Sequence, residues 1–252
     1  MAQVAWYDVK AKGWVRDFII LLHPPYTMWH LAYVVIGAAL APSINWVTLG
    51  WTLLAFFLGM GICAHCADEL KGRPLRTTIP GWILALLGGV SLGGAVYIGV
   101  AIGLKETIGI LPLIIFGVFI VFAYNLELFR GFFHNNFWFG FAWGAFPALT
   151  AYIAQTHTLS PVIVMVAAAC LLYSMAQRVL SLHARFWRRR VTAIEGHYFE
   201  TPDYPVVPST PYWGQSHNMT KQVIIKPAEV ALKYMTWTVV AAAIGLVLLR
   251  II

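Results

Sequence analysis

Cys63-Ala64-His65-Cys66-Ala67-Asp68-Glu69-Leu70-Lys71-Gly72-Arg73-Pro74-Leu75-Arg76-Thr77-Thr78-Ile79-Pro80 interrupts two long apolar runs. Upstream, residues 46–66 are almost wholly apolar. That run has about the 20 residues needed to cross a bilayer. Downstream, residues 81–104 form a second such run. His65, Asp68, Glu69, Lys71, Arg73 and Arg76 crowd the junction between them. Ionisable groups at a membrane-helix end mark either a solvated loop or a site. The composition agrees with a membrane reading: 60% of the 252 residues are hydrophobic and 11% are charged. Soluble domains carry about 25% charged residues. The expected fold class is all-α, a polytopic transmembrane helical bundle.

Working outward, about seven spans are expected, near residues 26–41, 46–66, 81–104, 108–124, 137–155, 160–182 and 228–252. Residues 1–25 read as an N-terminal segment with an interfacial helix, since Trp14, Val15, Phe18, Ile19 and Ile20 oppose Arg16 and Asp17. Residues 1–13 lack the apolar core and cleavage site of a signal peptide. Residues 26–182 hold six spans, 183–227 form a polar loop, and 228–252 form a last transmembrane helix. The loop's prolines and aromatics, from Thr201 to Trp213, suggest irregular structure. The net charge of +7 is unevenly placed. Lys10, Lys12, Arg16, Lys71, Arg73, Arg76, Arg130, Arg185 and Arg188-Arg189-Arg190 all fall on one side. Lys105 and Arg250 fall on the other. The positive-inside rule then predicts a multi-pass protein of the cell inner membrane with a cytoplasmic N-terminus. The charge is explained by topology, and no nucleic-acid partner is expected.

If the second span continues as a helix, His65, Asp68 and Glu69 stand at i, i+3 and i+4, on one face. Carboxylates hold a hard cation such as Mg²⁺, and Lys or Arg meet phosphate oxygens. The acid-then-base order of the motif therefore suits a metal-bridged diphosphate. The plain alternative is a loop whose Lys71, Arg73 and Arg76 merely obey the charge rule. Arg178 lies about one turn inside the apolar boundary of the sixth span, which calls for an anion or a carboxylate partner. Arg130 closes the stretch Tyr124-Asn125-Leu126-Glu127-Leu128-Phe129-Arg130 and reads as a second phosphate contact or a snorkelling interface arginine. Cys63 and Cys66 form a single CxxC without a second pair, and core cysteines explain them better than a metal or redox site. Eight histidines include no HExxH, so a zinc-protease pattern is not supported. The aromatic run from Phe132 to Trp143 suits a lipid-chain pocket, the shielding of a carbocation, or simple packing.

This layout resembles the UbiA-type intramembrane prenyltransferase superfamily. The resemblance rests on His65-Cys66-Ala67-Asp68-Glu69-Leu70-Lys71-Gly72-Arg73-Pro74 with Ile79-Pro80-Gly81 after the second span. It rests also on Tyr124 and Arg130 after the fourth span, and on Gly140, Trp143, Gly144 and Ala145 in the fifth. It covers about residues 20–185. It implies a UbiA-like bundle that moves a prenyl group from an allylic diphosphate to a lipid-soluble acceptor. It implies His65, Asp68 and Glu69 as catalytic residues, with Asp68 and Glu69 on Mg²⁺. Lys71, Arg73, Arg76, Arg130, Arg178 and Tyr124 would then bind substrate. The implied partners are membrane lipid, a prenyl diphosphate and a lipophilic acceptor, with further membrane subunits as an option. The sequence departs from the family pattern: the first motif keeps only Asp68 with adjacent Glu69, His65 stands near the expected Asn, and seven spans are counted against the usual nine. The second acidic motif has no counterpart, because residues 159–194 contain no Asp or Glu. A non-catalytic membrane subunit or lipid-binding protein on the same scaffold is the alternative expectation.

Overall fold

The computed structural model describes residues 7–9, 13–200 and 215–252. The expectations for residues 1–6 and 10–12, and for the Pro-rich stretch 201–214, lie outside the described residues. Among the described residues the main helices are α1 (Gly13–Leu21), α2 (Pro24–Ala39), α3 (Trp46–Gly72), α4 (Gly81–Lys105), α5 (Leu111–Asn125), α6 (Asn136–Thr156), α7 (Pro161–Arg189) and α8 (Lys221–Ile251). Seven helical segments are long and apolar enough to cross a membrane, with α1 and α2 together forming the first. The chain is an all-α bundle and an integral membrane protein. Several boundaries differ from the sequence reading: the first span begins at Gly13, taking in the segment read as an interfacial helix, and the second continues to Gly72. Helix α7 continues to Arg189, and α8 begins at Lys221 with Pro227 inside it. The polar loop is thus shorter than 183–227. Its two ends pair as an antiparallel ribbon, β1 (His197–Glu200) with β2 (Gln215–Asn218), in register His197 with Asn218.

Local chemistry sets the helix starts. Asn45 accepts the N–H groups of Val47 and Thr48 at the head of α3, and Asn135 accepts that of Trp138 at the head of α6. Ser160 and Thr220 cap α7 and α8 in the same way. Side-chain oxygens satisfy the orphan donors of a first turn. Between α1 and α2, His23 takes a left-handed conformation, with φ 45°, and Pro24 and Pro25 restart the helix. Proline suits a first turn because its missing N–H has no helical partner there anyway.

The helices alternate in direction, so one end of the bundle collects the start of α2, the ends of α3, α5 and α7, and the starts of α4, α6 and α8. This is the basic end. Helix α2 lies at the centre, packed on α6 and α8, while α7 packs on α6 and α8 from the other side. Close approach depends on small residues. A Cβ on Gly37 would stand 2.1 Å from the carbonyl oxygen of Ala148, and one on Gly144 would stand 2.5 Å from that of Cys170. Backbones that close are a general device of membrane bundles, where lipid removes any hydrophobic drive between helices. The main core cluster, with Trp29, Tyr33, Ala148, Tyr152, Ile163 and Val239, forms around these contacts. Helix α4 instead exposes Trp82, Leu86, Val90, Tyr97 and Leu104, as a lipid-facing helix does.

Candidate functional site

A cavity with about 1020 Å³ of empty space opens at the basic end. Helix α3 supplies His65 and Asp68, α2 supplies His30, and α5 supplies Tyr124. Helix α6 supplies Phe139 and Trp143, and α7 supplies Gln177, Arg178, Arg185 and Arg189. His134 enters from the α5–α6 connection, and His23 and Tyr26 from the α1–α2 junction. Tyr7 reaches the cavity from the N-terminal segment, its ring 5.6 Å from that of His23 and 5.7 Å from that of Tyr26. The neighbouring Asp8 receives two hydrogen bonds from Arg16, at 3.0 and 2.7 Å, which tie this segment to α1.

Two π-helical turns shape the walls. Phe57–Ala64 in α3 leads directly into His65, and Phe141–Ala145 in α6 contains Trp143. A π turn inserts an extra residue and re-aims the side chains that follow it, which is why such turns gather at functional sites.

Arg178 is the most constrained cation of the cavity. It is 7% exposed, and its Nε donates to the Tyr124 hydroxyl at 2.9 Å. Its Nη1 donates to Asn136. The guanidinium also stands 5.9 Å from the Tyr124 ring centre and 5.8 Å from that of Phe139. The planar fork is therefore held by two neutral oxygens and two rings, with no carboxylate paired to it among the described residues. The histidines are fixed as well. Nδ1 of His65 meets the Gly61 carbonyl at 2.9 Å, and Nδ1 of His23 meets that of Leu21 at 2.9 Å. The two rings stack 4.3 Å apart. His134 stacks on Tyr124 at 4.5 Å, and its Nδ1 meets the Tyr124 carbonyl at 3.0 Å.

The structure divides the 63–80 motif. His65 and Asp68 line the cavity, together with Tyr124 and Arg178. Glu69 does not. Its fully buried carboxylate accepts the N–H of Leu75 at 3.0 Å, the N–H of Thr77 at 2.9 Å and the Thr77 hydroxyl at 2.8 Å. Successive residues on a helix point about 100° apart, so Asp68 and Glu69 face different surroundings. Arg73 takes φ 51° and donates to the Ile79 carbonyl at 2.6 Å. Lys71, Arg76 and Arg130 are exposed and lie outside the cavity lining.

The donor set bears on the Mg²⁺ expectation. Among the described residues two carboxylates line the cavity, Asp68 and Glu229, and Glu229 is ion-paired with Arg188. Asp68 has no hydrogen-bond or ion-pair partner among the described residues. Among those residues, no group of three or more His, Cys, Asp or Glu is placed to hold a metal ion. A resident Mg²⁺ needs near-octahedral oxygen ligation. Among the described residues the cavity offers one available carboxylate, Asp68, too few for an ion held by protein alone; Asp68 would hold Mg²⁺ only together with the oxygens of a bound diphosphate.

A second space lies deeper between α3, α4, α5 and α6. It is an apolar groove of about 770 Å³, walled by residues such as Met60, Leu92, Ile114, Val118 and Phe146. Trp143 borders both the groove and the polar cavity.

No protein-family model, curated protein or solved structure matches the chain. The site rests on its own geometry.

Sequence reasoning did not single out His30, Asn136, Tyr7 or Glu229. For His30 a signal existed: a lone imidazole within the apolar run 26–41 is costly to bury and marks a bundle-facing position. Asn136 and Tyr7 gave none, because polar residues at helix starts and termini are ordinary.

Proposed function

We propose that the chain is a UbiA-like enzyme that binds a prenyl diphosphate and transfers its prenyl group to a lipid-soluble acceptor. The observation that carries this reading is the position of Trp143 between a basic cavity and an apolar groove. An amphiphile with an anionic head and a hydrocarbon tail matches that pair of spaces. Arg178, Arg185 and Arg189 meet the diphosphate oxygens, and the prenyl chain follows Trp143 into the groove. As the allylic C–O bond breaks, its electron pair leaves with the diphosphate. Guanidinium groups already in place stabilise that developing charge without reorganisation. The faces of Tyr124, Phe139 and Trp143 shelter the allylic cation. The acceptor attacks the cation, and Asp68 takes the proton that the acceptor releases. Arginines thus neutralise the leaving group where the resemblance implies Mg²⁺, and no step depends on a protein-held metal. In this reading the basic end faces the cytoplasm of the inner membrane.

A second reading is a non-catalytic lipid-binding protein or membrane subunit, favoured by the single available carboxylate, Asp68. Binding and turnover of geranylgeranyl diphosphate by the protein in nanodiscs separate the two. The transferase reading expects saturable binding weakened by Arg178→Gln and by Trp143→Ala, and diphosphate release that Asp68→Asn abolishes while binding persists. Binding without release, with every candidate acceptor extract, supports the second reading. Absence of binding by the folded protein overturns the transferase reading and leaves the membrane subunit.

A further inference from the structure

Two buried polar atoms of the cavity wall have no hydrogen-bond partner among the described residues: Nδ1 of His30 and Oε1 of Gln177. Both residues are nearly sealed, at 4% and 3% exposure, and both line the cavity. Their relative placement follows from the fold. The Ser174 hydroxyl on α7 donates to the Tyr33 hydroxyl on α2 at 3.3 Å, and the Trp29 indole donates to the same oxygen at 2.7 Å. This satisfied network joins α2 and α7 inside the bundle. Helices α2 and α7 run in opposite directions, and residues three apart share a helix face. His30 precedes Tyr33 by three residues, and Gln177 follows Ser174 by three. Each therefore lies one turn from the Tyr33–Ser174 contact on the side of the basic end, and the two line the cavity from α2 and α7. Phe139 joins them, with its ring 6.1 Å from that of His30 and 5.8 Å from the guanidinium carbon of Arg178.

A buried acceptor without a donor is destabilising, and natural proteins keep such groups where a ligand or water supplies the missing bond. An amide oxygen can only accept, whereas an imidazole nitrogen donates or accepts according to its tautomer. A hydroxyl meets both needs, giving its hydrogen to Gln177 and accepting the Nδ1–H of His30 in the matching tautomer. We propose that His30 and Gln177 form a neutral subsite at the inner end of the cavity, which takes a hydroxyl group of a bound ligand. The subsite is separate from the basic rim of Arg185 and Arg189. It stands whether or not that rim takes a diphosphate.

The test uses full-length protein in lipid nanodiscs and a matched pair of probes, 4-fluorophenol and 4-fluoroanisole, titrated by fluorine NMR against empty nanodiscs. In the ether a methyl group replaces the donor hydrogen. The phenol should bind saturably and about tenfold tighter than the ether, as one buried hydrogen bond implies. That preference should vanish in Gln177→Met and His30→Leu and persist in Arg185→Gln. The melting temperatures of the first two variants should equal or exceed that of the parent, because each removes an unpaired polar atom. Equal binding of phenol and ether by the parent protein overturns the subsite. So does a fall in melting temperature with the phenol preference unchanged, which would make both groups structural. Geranylgeranyl diphosphate binding, measured separately, decides the function proposed above without touching this result.

Discussion

Asp17 on α1 accepts both the backbone N–H and the hydroxyl of Thr78, each at 2.6 Å, across 61 residues of sequence. Glu69 does the same for Thr77 and adds the N–H of Leu75. Two carboxylates thus grip adjacent residues of the loop from opposite sides, and the loop is pinned between α1 and α3. Hydrogen bonds to charged groups are worth about 1.5–3 kcal/mol each. Asp17→Ala and Glu69→Ala should therefore each lower stability by about 3 kcal/mol, read as denaturant unfolding in mild detergent. Asp68→Asn should leave the same unfolding curve in place, since Asp68 grips nothing among the described residues. A loss of stability in Asp68→Asn as large as in Glu69→Ala would show that the motif is structural throughout.

The closest helix contact makes a sharper prediction. A methyl on Gly37 would meet the Ala148 carbonyl oxygen at 2.1 Å, whereas one on Gly89 would meet nothing within 4 Å. Backbone cannot move aside as a side chain can, so α2 and α6 would have to separate. Overpacking of this kind costs about 1–3 kcal/mol or more. Gly37→Ala should destabilise by at least that amount, and Gly89→Ala should be neutral or slightly stabilising through helix propensity. Thermal unfolding of the two variants side by side checks the packing of the central helix.

The spans were legible because length and apolar character alone decide them. The ends of α7 and α8 were not, since Arg188 and Arg189 continue a helix past the apolar boundary and Pro227 stands inside one. The candidate site was legible in part. Asp68, His65, Tyr124 and Arg178 were visible as polar groups at span ends, and the fold brings them to one cavity. Glu69 was not readable, because its partners are backbone N–H groups that reach it only when the loop folds back. The π turns at Phe57–Ala64 and Phe141–Ala145 were not readable either. Both are tertiary outcomes of packing and leave no mark in hydrophobic periodicity.

Arg178 supplies the third prediction. Its fork is oriented by the Tyr124 hydroxyl and Asn136, and lysine cannot reproduce two divergent donors in one plane. Arg178→Lys should weaken anion binding by about tenfold although the charge is kept, a loss of the size of one charge-assisted hydrogen bond. Tyr124→Phe, which keeps the ring and removes one anchor, should weaken it by a smaller factor. Pyrophosphate titration by calorimetry measures both. Equal affinity in Arg178→Lys would show that the site reads charge alone.

The pair between Arg188 on α7 and Glu229 on α8 supplies the last. Both side chains are mostly buried, at 13% and 18% exposure, and both border the cavity. In the parent protein Glu229 cancels the charge of Arg188 and joins the two helices at the rim. Glu229→Gln should then have two opposite effects. Stability should fall by about 2 kcal/mol, because a mostly buried guanidinium loses its counter-charge. Pyrophosphate affinity should rise several-fold, because one more cation faces the cavity without a carboxylate beside it. The exchange Arg188→Glu with Glu229→Arg should restore much of the stability and return the affinity toward the parent value. Unfolding and calorimetry on the same three proteins make the comparison. A fall in both stability and affinity for Glu229→Gln would mean that the pair holds the cavity open, and that its charge balance is secondary.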